Sequence, residues 1–182
     1  MNKFSIPKIT LYHLINELIS TEKERAIFEI ENKKITREKL YQDILNAQNY
    51  LIELKLNQKD TVISMLENSY EQITFFLATL CLGITWVPLG KDRKGVGLKY
   101  VLSITKPAVI FARKEKLIEI PEEYRKQIQI IKDNFKLKKS KNLLKKIIFN
   151  GEVNTILFTS GTTGPPKGVL VSDRMLIASA FA

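Results

Sequence analysis

Hydrophobic residues recur along the chain with a spacing that alternates between helical and strand-like stretches. After Thr36, which can cap a helix, apolar side chains follow one another three or four positions apart as far as Leu54. Short apolar runs lie between the helical stretches, and we predict strands at 60–66, 85–88, 108–111, 128–131 and 154–158. Alternating strands and helices imply right-handed crossovers, so the pattern predicts an α/β fold with a mainly parallel sheet flanked by helices.

Polar residues at the borders of the apolar runs predict where other helices begin and end. Asn68, with Glu71 three positions later, has the spacing of a capping box, and Gly83 is suited to end the helix that follows. Ser172 can cap a terminal helix, with Asp173 in its first turn near the positive end of the helix dipole. We also predict helices at 10–19 and 97–104 and a hairpin-like pair of strands at 26–30 and 34–35.

The chain has the length of one domain, which we divide into three parts. Residues 1–134 hold the alternating strands and helices. Residues 135–150 are predicted to form a basic linker, and residues 151–182 to hold a strand, a loop and the start of the next helix.

The formal net charge of +10 is a feature of many proteins that bind nucleic acids, so nucleic acids are candidate partners. Lysines crowd the stretch from Lys132 to Lys146, but Phe135 is its single aromatic residue, and no stacking pattern is present. We interpret the stretch as a solvated surface and expect no nucleic acid among the partners. No apolar run reaches the ~20 residues that cross a bilayer, and the N-terminus lacks the apolar core of a secretion signal. We therefore expect a cytoplasmic protein without a membrane span.

The chain has one cysteine, Cys81, and one histidine, His13. A single cysteine excludes an internal disulfide and a cysteine cluster for a metal. Cys81 lies in an apolar helical run, where a packed thiol is expected rather than a nucleophile. The sequence suggests no partner for a Ser-His or Cys-His pair, so no residue is assigned to catalysis or to a metal.

The densest group of candidate functional residues lies between Thr159 and Gly168. Three glycines within eight residues let backbone N–H groups approach an anion closely, and three hydroxyl side chains add further donors. Lys167 supplies a positive charge for phosphate oxygens, and Pro165 and Pro166 stiffen the end of the loop. Ligands of parallel sheets bind beyond the carboxyl ends of the strands, and this loop leaves such an end. We therefore predict that the loop binds phosphate.

A solvated turn between two strands is the simpler interpretation of a loop rich in Gly, Ser and Thr. The concentration of glycines, hydroxyls and a lysine directly after a buried-type strand favours phosphate binding instead. The loop is not a Walker A motif, because Lys167 lies between Pro166 and Gly168 rather than between a glycine and a Ser or Thr. A P-loop nucleoside triphosphatase is therefore disfavoured.

The run from Phe158 to Val169 resembles the phosphate-loop signature of the adenylate-forming enzymes, which include acyl-CoA synthetases, the adenylation domains of nonribosomal peptide synthetases and the luciferases. Segments 34–40 and 80–89 are similar to two further elements of that family, in the order and spacing that the family shows. Two residues depart from the pattern: Asp173 stands where many members carry histidine, and Gly97 stands where an arginine is frequent.

The resemblance implies a two-step reaction. A carboxylate attacks the α-phosphorus of ATP, with Mg²⁺ expected, to give an acyl-adenylate and pyrophosphate, and a thiol of coenzyme A or of a carrier domain then takes the acyl group. In the family this loop holds the β- and γ-phosphates, since phosphoryl chemistry depends on positioning and charge neutralisation. The cofactor-binding residues that the resemblance carries onto this sequence are Thr159, Ser160, Gly161, Thr162, Thr163, Gly164 and Lys167.

In the family, the elements that bind adenine, magnesium and ribose, and a C-terminal lysine, all follow this loop. We therefore expect the first part of a synthetase, incomplete at its C-terminus, which needs the remaining portion in cis or in trans and does not form acyl-adenylates alone. Two alternatives stay open. One is a non-catalytic module that binds a nucleotide or another anion through the loop, and the other is a basic interaction protein for RNA or membrane.

Overall fold

A computed structural model describes residues 11–18, 20–30, 32–90, 93–132, 135–140, 153–159 and 165–181. Helices and strands alternate along most of these residues. Two short 3₁₀ helices, Lys114–Ile118 and Glu122–Gln127, precede the sixth strand. The helices and strands in chain order are α1 Leu11–Glu17, β1 Ala26–Ile30, β2 Lys33–Thr36, α2 Arg37–Glu53, β3 Thr61–Ser64, α3 Tyr70–Leu82, β4 Thr85–Pro88, α4 Gly95–Thr105, β5 Val109–Ala112, β6 Ile128–Ile130, β7 Val153–Thr159, β8 Lys167–Ser172 and α5 Asp173–Phe181.

Six of the strands form one sheet in the order β6-β5-β3-β4-β7-β8. Every neighbouring pair is parallel except β7 and β8, which are antiparallel. Strands β1 and β2 form a separate antiparallel hairpin, as predicted. The prediction of an α/β fold with a mainly parallel sheet flanked by helices is therefore confirmed.

Each face of the sheet carries its own hydrophobic core, because successive side chains of a strand point to opposite faces. Val62 packs with residues of α1, α2 and α3 in one cluster, whereas the next residue, Ile63, packs with α4 in the other. The stripe predicted on α2 is buried at Leu40, Ile44, Ala47 and Leu51. Leu54 lies one residue beyond the helix and is only half-buried.

Helix ends follow the predicted caps with one exception. Thr36 accepts a hydrogen bond from the Lys39 N–H at 3.1 Å, and Gly83 ends α3 in the left-handed conformation with φ 70°. The prediction of Asn68 as the cap of α3 is wrong by one residue. Ser69 has the extended backbone of a cap, and its hydroxyl accepts the Gln72 N–H at 3.3 Å.

The first part of the predicted basic linker packs against the body of the fold. Phe135 and Leu137 contact the cluster on the α2 side of the sheet, and the Ser140 N–H donates to Asn46 Oδ1 at 2.7 Å. The lysines between them, Lys136, Lys138 and Lys139, are exposed, as a solvated surface requires. Residues 141–152 lie outside the described part of the chain, so the three-part division stays a prediction.

In the described parts of the chain, no helix is long and apolar enough to cross a bilayer. The longest described helix, α2, has 17 residues, several of them charged.

Candidate functional site

The two ends of the predicted phosphate loop lie at one edge of the sheet. Strand β7 is parallel to β4, with Thr155 opposite Trp86, so its last residue, Thr159, lies at the edge where β3, β4 and β5 also end. Strand β8 begins at Lys167, directly opposite Thr159 in the antiparallel register. The loop therefore closes a β-hairpin at the carboxyl edge of the parallel strands, where sheets of this kind bind ligands.

Two of the seven predicted cofactor-binding residues belong to the described part of the chain. Thr159 and Lys167 both have exposed side chains, and the Thr159 hydroxyl donates to the Lys167 backbone carbonyl at 3.4 Å. The structure thus brings these two residues together across the hairpin. The other five predictions, Ser160, Gly161, Thr162, Thr163 and Gly164, lie outside the described residues.

Gly168 has a packing role that the sequence did not reveal. A Cβ atom at this position would lie 3.1 Å from Cγ2 of Ile156 and 3.3 Å from the ring of Phe158. Both distances are shorter than ordinary van der Waals contacts. Glycine therefore lets the ring of Phe158 lie against the first residues of β8, which fixes the base of the loop.

A cleft of about 510 Å³ opens at the carboxyl ends of β3 and β4. Strand β4 is also the neighbour of β7, so the cleft lies at the same edge of the sheet as Thr159, the last residue of β7. The cleft combines apolar walls with three polar side chains. Its lining residues are Leu66, Glu67, Asn68, Gln72, Pro88, Leu89 and Gly90.

Hydrogen bonds at the carboxyl ends of β3 and β4 fix the floor of the cleft. The Leu89 N–H donates to the Ser64 carbonyl at 2.8 Å, and the buried Ser64 hydroxyl donates to Gln72 Oε1 at 3.2 Å. Sequence reasoning missed this cleft, although polar Glu67 and Asn68 directly after a buried strand are a signal that could have found it.

Arg113 follows β5 directly and stabilises the same carboxyl edge of the sheet. Its guanidinium donates to the Ile131 carbonyl at 2.7 Å and lies 3.9 Å from the Glu71 carboxylate in the first turn of α3. Both side chains of this ion pair are largely buried, which reduces screening by solvent. The contact ties the ends of β5 and β6 to the beginning of α3.

Cys81 is a packed residue, as predicted. It lies buried in α3, and burial raises the pKa of its thiol to about 12. His13 lies exposed on α1, with its ring 5.9 Å from that of Tyr12. Among the described residues no group of His, Cys, Asp and Glu side chains could hold a metal ion.

We expect Cys81 of the folded protein to resist alkylation at pH 8. The thiolate is the reactive form, and a pKa of about 12 leaves almost none of it at that pH. Mass spectrometry after iodoacetamide treatment measures the modified fraction, with the urea-unfolded protein as the reactive control. Equal labelling of the folded and unfolded protein would contradict the buried position.

The sequence model of the family described as "AMP-binding enzyme" matches residues 18–182. The chain therefore belongs to the AMP-binding enzyme family. The match begins near the end of α1 and includes both strands of the hairpin and the loop between them.

Relatives of this AMP-binding protein include large synthetases and single ligases. The hybrid PKS-NRPS synthetase xenE of Xenoacremonium sinensis is 31% identical over 170 residues, which are 92% of this chain and 4% of that protein. The D-alanine–D-alanyl carrier protein ligase of Lactococcus lactis is 25% identical over 169 residues, 92% of this chain and 34% of that protein.

Solved structures of adenylate-forming enzymes have the same fold. ATP-bound MatB from Rhodopseudomonas palustris superimposes with a TM-score of 0.77 at 22% identity, over 91% of this chain and 35% of the MatB chain. The AMP-binding chain described here thus spans about a third or less of the length of the proteins it matches.

The two departures from the family pattern lie on α4 and α5. Asp173 is buried in the first turn of α5 and accepts the Arg174 N–H at 2.7 Å, while Ser172 caps that helix as predicted. At Gly97, a guanidinium nitrogen of Arg93 lies 3.8 Å from where a Cβ would stand. A positive charge is therefore present beside position 97, although the residue itself is glycine.

Proposed function

We propose that this chain provides the phosphate-holding part of an ATP-dependent acid–thiol ligase. In this proposal the loop between β7 and β8 holds the β- and γ-phosphates of Mg²⁺-ATP while a carboxylate attacks the α-phosphorus. The contacts come from backbone N–H groups, hydroxyls and one lysine: Thr159, Ser160, Gly161, Thr162, Thr163, Gly164 and Lys167. Such contacts stabilise the pyrophosphate that leaves.

The position of the hairpin carries the proposal. Thr159 and Lys167 are opposite one another, exposed, and at the carboxyl edge of the parallel strands. A phosphate bound beside them would meet the Lys167 ammonium group. The Thr159 hydroxyl, which donates to the Lys167 carbonyl at 3.4 Å, would have to turn away from that carbonyl to donate to the phosphate. The family match and an ATP-bound structure with the same fold support ATP as the ligand.

The acid and the thiol acceptor are proposed from the relatives. The name of the ligase from Lactococcus lactis pairs an amino acid with a carrier protein. We propose a carboxylic acid as the second substrate and a carrier domain or coenzyme A as the thiol acceptor. Because the chain spans about a third of that ligase, the complete reaction is assigned to the whole enzyme. ATP as substrate favours a cytoplasmic location.

We expect Lys167→Gln to weaken Mg²⁺-ATP binding by roughly 10- to 150-fold, since one charge-assisted contact to phosphate contributes roughly 1.5–3 kcal/mol. Isothermal titration calorimetry with Mg²⁺-ATP and with AMP measures the change. The loss should be large for ATP and small for AMP, because AMP lacks the β- and γ-phosphates.

Lys126→Gln is the matched control, because Lys126 is also exposed but lies in the second 3₁₀ helix, away from β7 and β8. This variant removes the same charge and should bind ATP as the wild type does. Equal weakening in both variants would show that net charge alone attracts the nucleotide. Unchanged ATP affinity in Lys167→Gln would refute the role given to this lysine.

A further inference from the structure

Gly168 occupies a position in β8 where the backbone conformation does not require glycine. Its φ lies outside the left-handed region that favours glycine, whereas Gly83 and Gly95 have a positive φ. Within a strand, glycine is destabilising relative to residues with a side chain, and it often marks a close approach of other groups. The reason for a glycine at this position therefore lies in what surrounds it.

Two side chains of β7 surround Gly168 on one face of the sheet. Phe158 lies directly opposite Gly168, and Ile156 lies two residues earlier on the same strand, so both point to the same face. Both side chains pack against the hydrophobic cluster on the α4 side of the sheet. A Cβ atom at position 168 would stand 3.1 Å from Cγ2 of Ile156 and 3.3 Å from Cε1 and Cζ of Phe158.

Ile156 decides whether the hairpin could accommodate a methyl group at position 168. The contacts with Phe158 involve the far atoms of its ring, which can move aside when the side chain rotates. Cγ2 of Ile156 is instead bonded directly to Cβ, and a β-branched side chain is stiff at χ1. Ile156 also packs against the core cluster, which leaves it little room to shift. A methyl group at position 168 would therefore displace the backbone of one strand relative to the other by a few tenths of an ångström.

Such a displacement reaches both ends of the loop between β7 and β8. Phe158 directly precedes Thr159, and Gly168 directly follows Lys167. Thr159 and Lys167 are the next pair in the register of the two strands. Whichever strand moves, the position of Lys167 relative to Thr159 changes.

We propose that Gly168 is a positioning residue of the candidate phosphate site. Because it lacks a side chain, β8 lies close against Ile156 and Phe158, and this close packing fixes the place of Lys167 relative to Thr159. The consequence for the nucleotide rests on the proposed function, in which Lys167 contacts the β- and γ-phosphates. The consequence for the geometry of the hairpin is independent of that function.

We expect Gly168→Ala to weaken Mg²⁺-ATP binding by roughly three- to tenfold, because the lysine charge stays but its contact with phosphate is stretched. Isothermal titration calorimetry of the full 182-residue chain measures the change. The loss should be small for AMP, which lacks the β- and γ-phosphates. Gly97→Ala is the matched control, because its added Cβ would stand at an ordinary contact distance of 3.8 Å from Arg93. This control should bind ATP as the wild type does.

Two variants of Ile156 separate the packing contact from a general loss of structure. Ile156→Leu removes the Cγ2 branch at nearly constant volume, so in combination with Gly168→Ala it should restore most of the ATP affinity. Ile156→Val keeps Cγ2 and should restore none of it. Each single Ile156 variant is the reference for its double variant.

A disulfide across the hairpin measures the geometry without a nucleotide. Thr159→Cys combined with Lys167→Cys places two thiols directly opposite each other, within the range of a disulfide. In a glutathione buffer, we expect Gly168→Ala to lower the equilibrium constant of this bridge at least about threefold, since disulfides accept a narrow range of geometry. Adding Ile156→Leu should restore the bridge. The wild-type Cys81 is buried, which keeps the background low.

The two measurements distinguish a failure of this proposal from a failure of the proposed function. A wild-type chain that does not bind Mg²⁺-ATP would refute the proposed function, and the disulfide would still decide the role of Gly168. An unchanged disulfide equilibrium in Gly168→Ala would overturn the proposal, as would unchanged ATP affinity beside a wild type that binds. Equal rescue by Ile156→Leu and Ile156→Val would also overturn it. If circular dichroism shows that Gly168→Ala does not fold, the glycine serves the fold as a whole, and the positioning role is refuted.

Discussion

Replacing Phe111 by alanine is expected to destabilise the protein by about 3–5 kcal/mol, the range for deleting a buried aromatic ring. Phe111 in β5 is completely buried, and its ring lies 4.6 Å from that of Phe75 and 6.5 Å from that of Trp86. It therefore links the central strands of the sheet to α3. Removing the ring leaves a cavity that these rigid neighbours cannot fill, and the cost is correspondingly large.

Urea unfolding followed by the fluorescence of Trp86, the single tryptophan, measures this loss. Phe135→Ala is the matched control, because it deletes the same ring at a half-buried position on the border of the same cluster. The control should lose less than half as much. Equal losses for the two variants would show that the centre of this core is not at Phe111.

Much of the fold could be predicted because it depends on local patterns. The apolar spacing after Thr36 reflects a helix with one buried face, and Thr36, Gly83 and Ser172 fulfil the capping roles that their chemistry favours. The predicted strands correspond to β3, β4, β5, β6 and β7. Strand β4 matches its prediction at both ends, and the other four differ from theirs by one or two residues at an end. Short apolar runs between turns suffice to locate strands of a buried sheet.

The errors concern choices between neighbouring residues of similar chemistry. Asn68 and Ser69 are both good caps, and sequence alone cannot decide which residue adopts extended backbone. A second error is the start of α4, which begins at Gly95 rather than at 97. Glycine has a low helix propensity, so the sequence pattern does not favour a helix there. The packing of Leu98, Val101 and Leu102 in the core nevertheless stabilises the helix.

The residues of the candidate site could be proposed from the sequence, but the surroundings of the loop could not. The loop residues stand together in sequence, so Thr159 and Lys167 could be grouped without a structure. The cleft at the ends of β3 and β4 joins Glu67 to Leu89, which are more than 20 residues apart, through the crossover of α3. Arg113 and Glu71 likewise meet only because β5 ends, and α3 begins, at the same edge.

Replacing Gly83 by alanine is expected to destabilise the protein by about 2 kcal/mol, for two reasons that can be separated. Gly83 ends α3 with φ 70°, a conformation that alanine adopts at a cost of roughly 1–2 kcal/mol. An added Cβ would also lie 2.8 Å from Cγ of Gln58. That side chain is held nearby because the Lys59 N–H donates to the Gly83 carbonyl at 2.8 Å.

Gly95→Ala separates the two contributions, because Gly95 has φ 60° and open space where a Cβ would stand. This variant pays only the conformational cost, so its urea midpoint should fall less than that of Gly83→Ala. Adding Gln58→Ala to Gly83→Ala removes the steric contact and should recover the difference between the two single variants. If Gln58→Ala recovers nothing, the whole loss at Gly83 comes from the left-handed backbone, and the junction between α3 and β4 tolerates the extra methyl group.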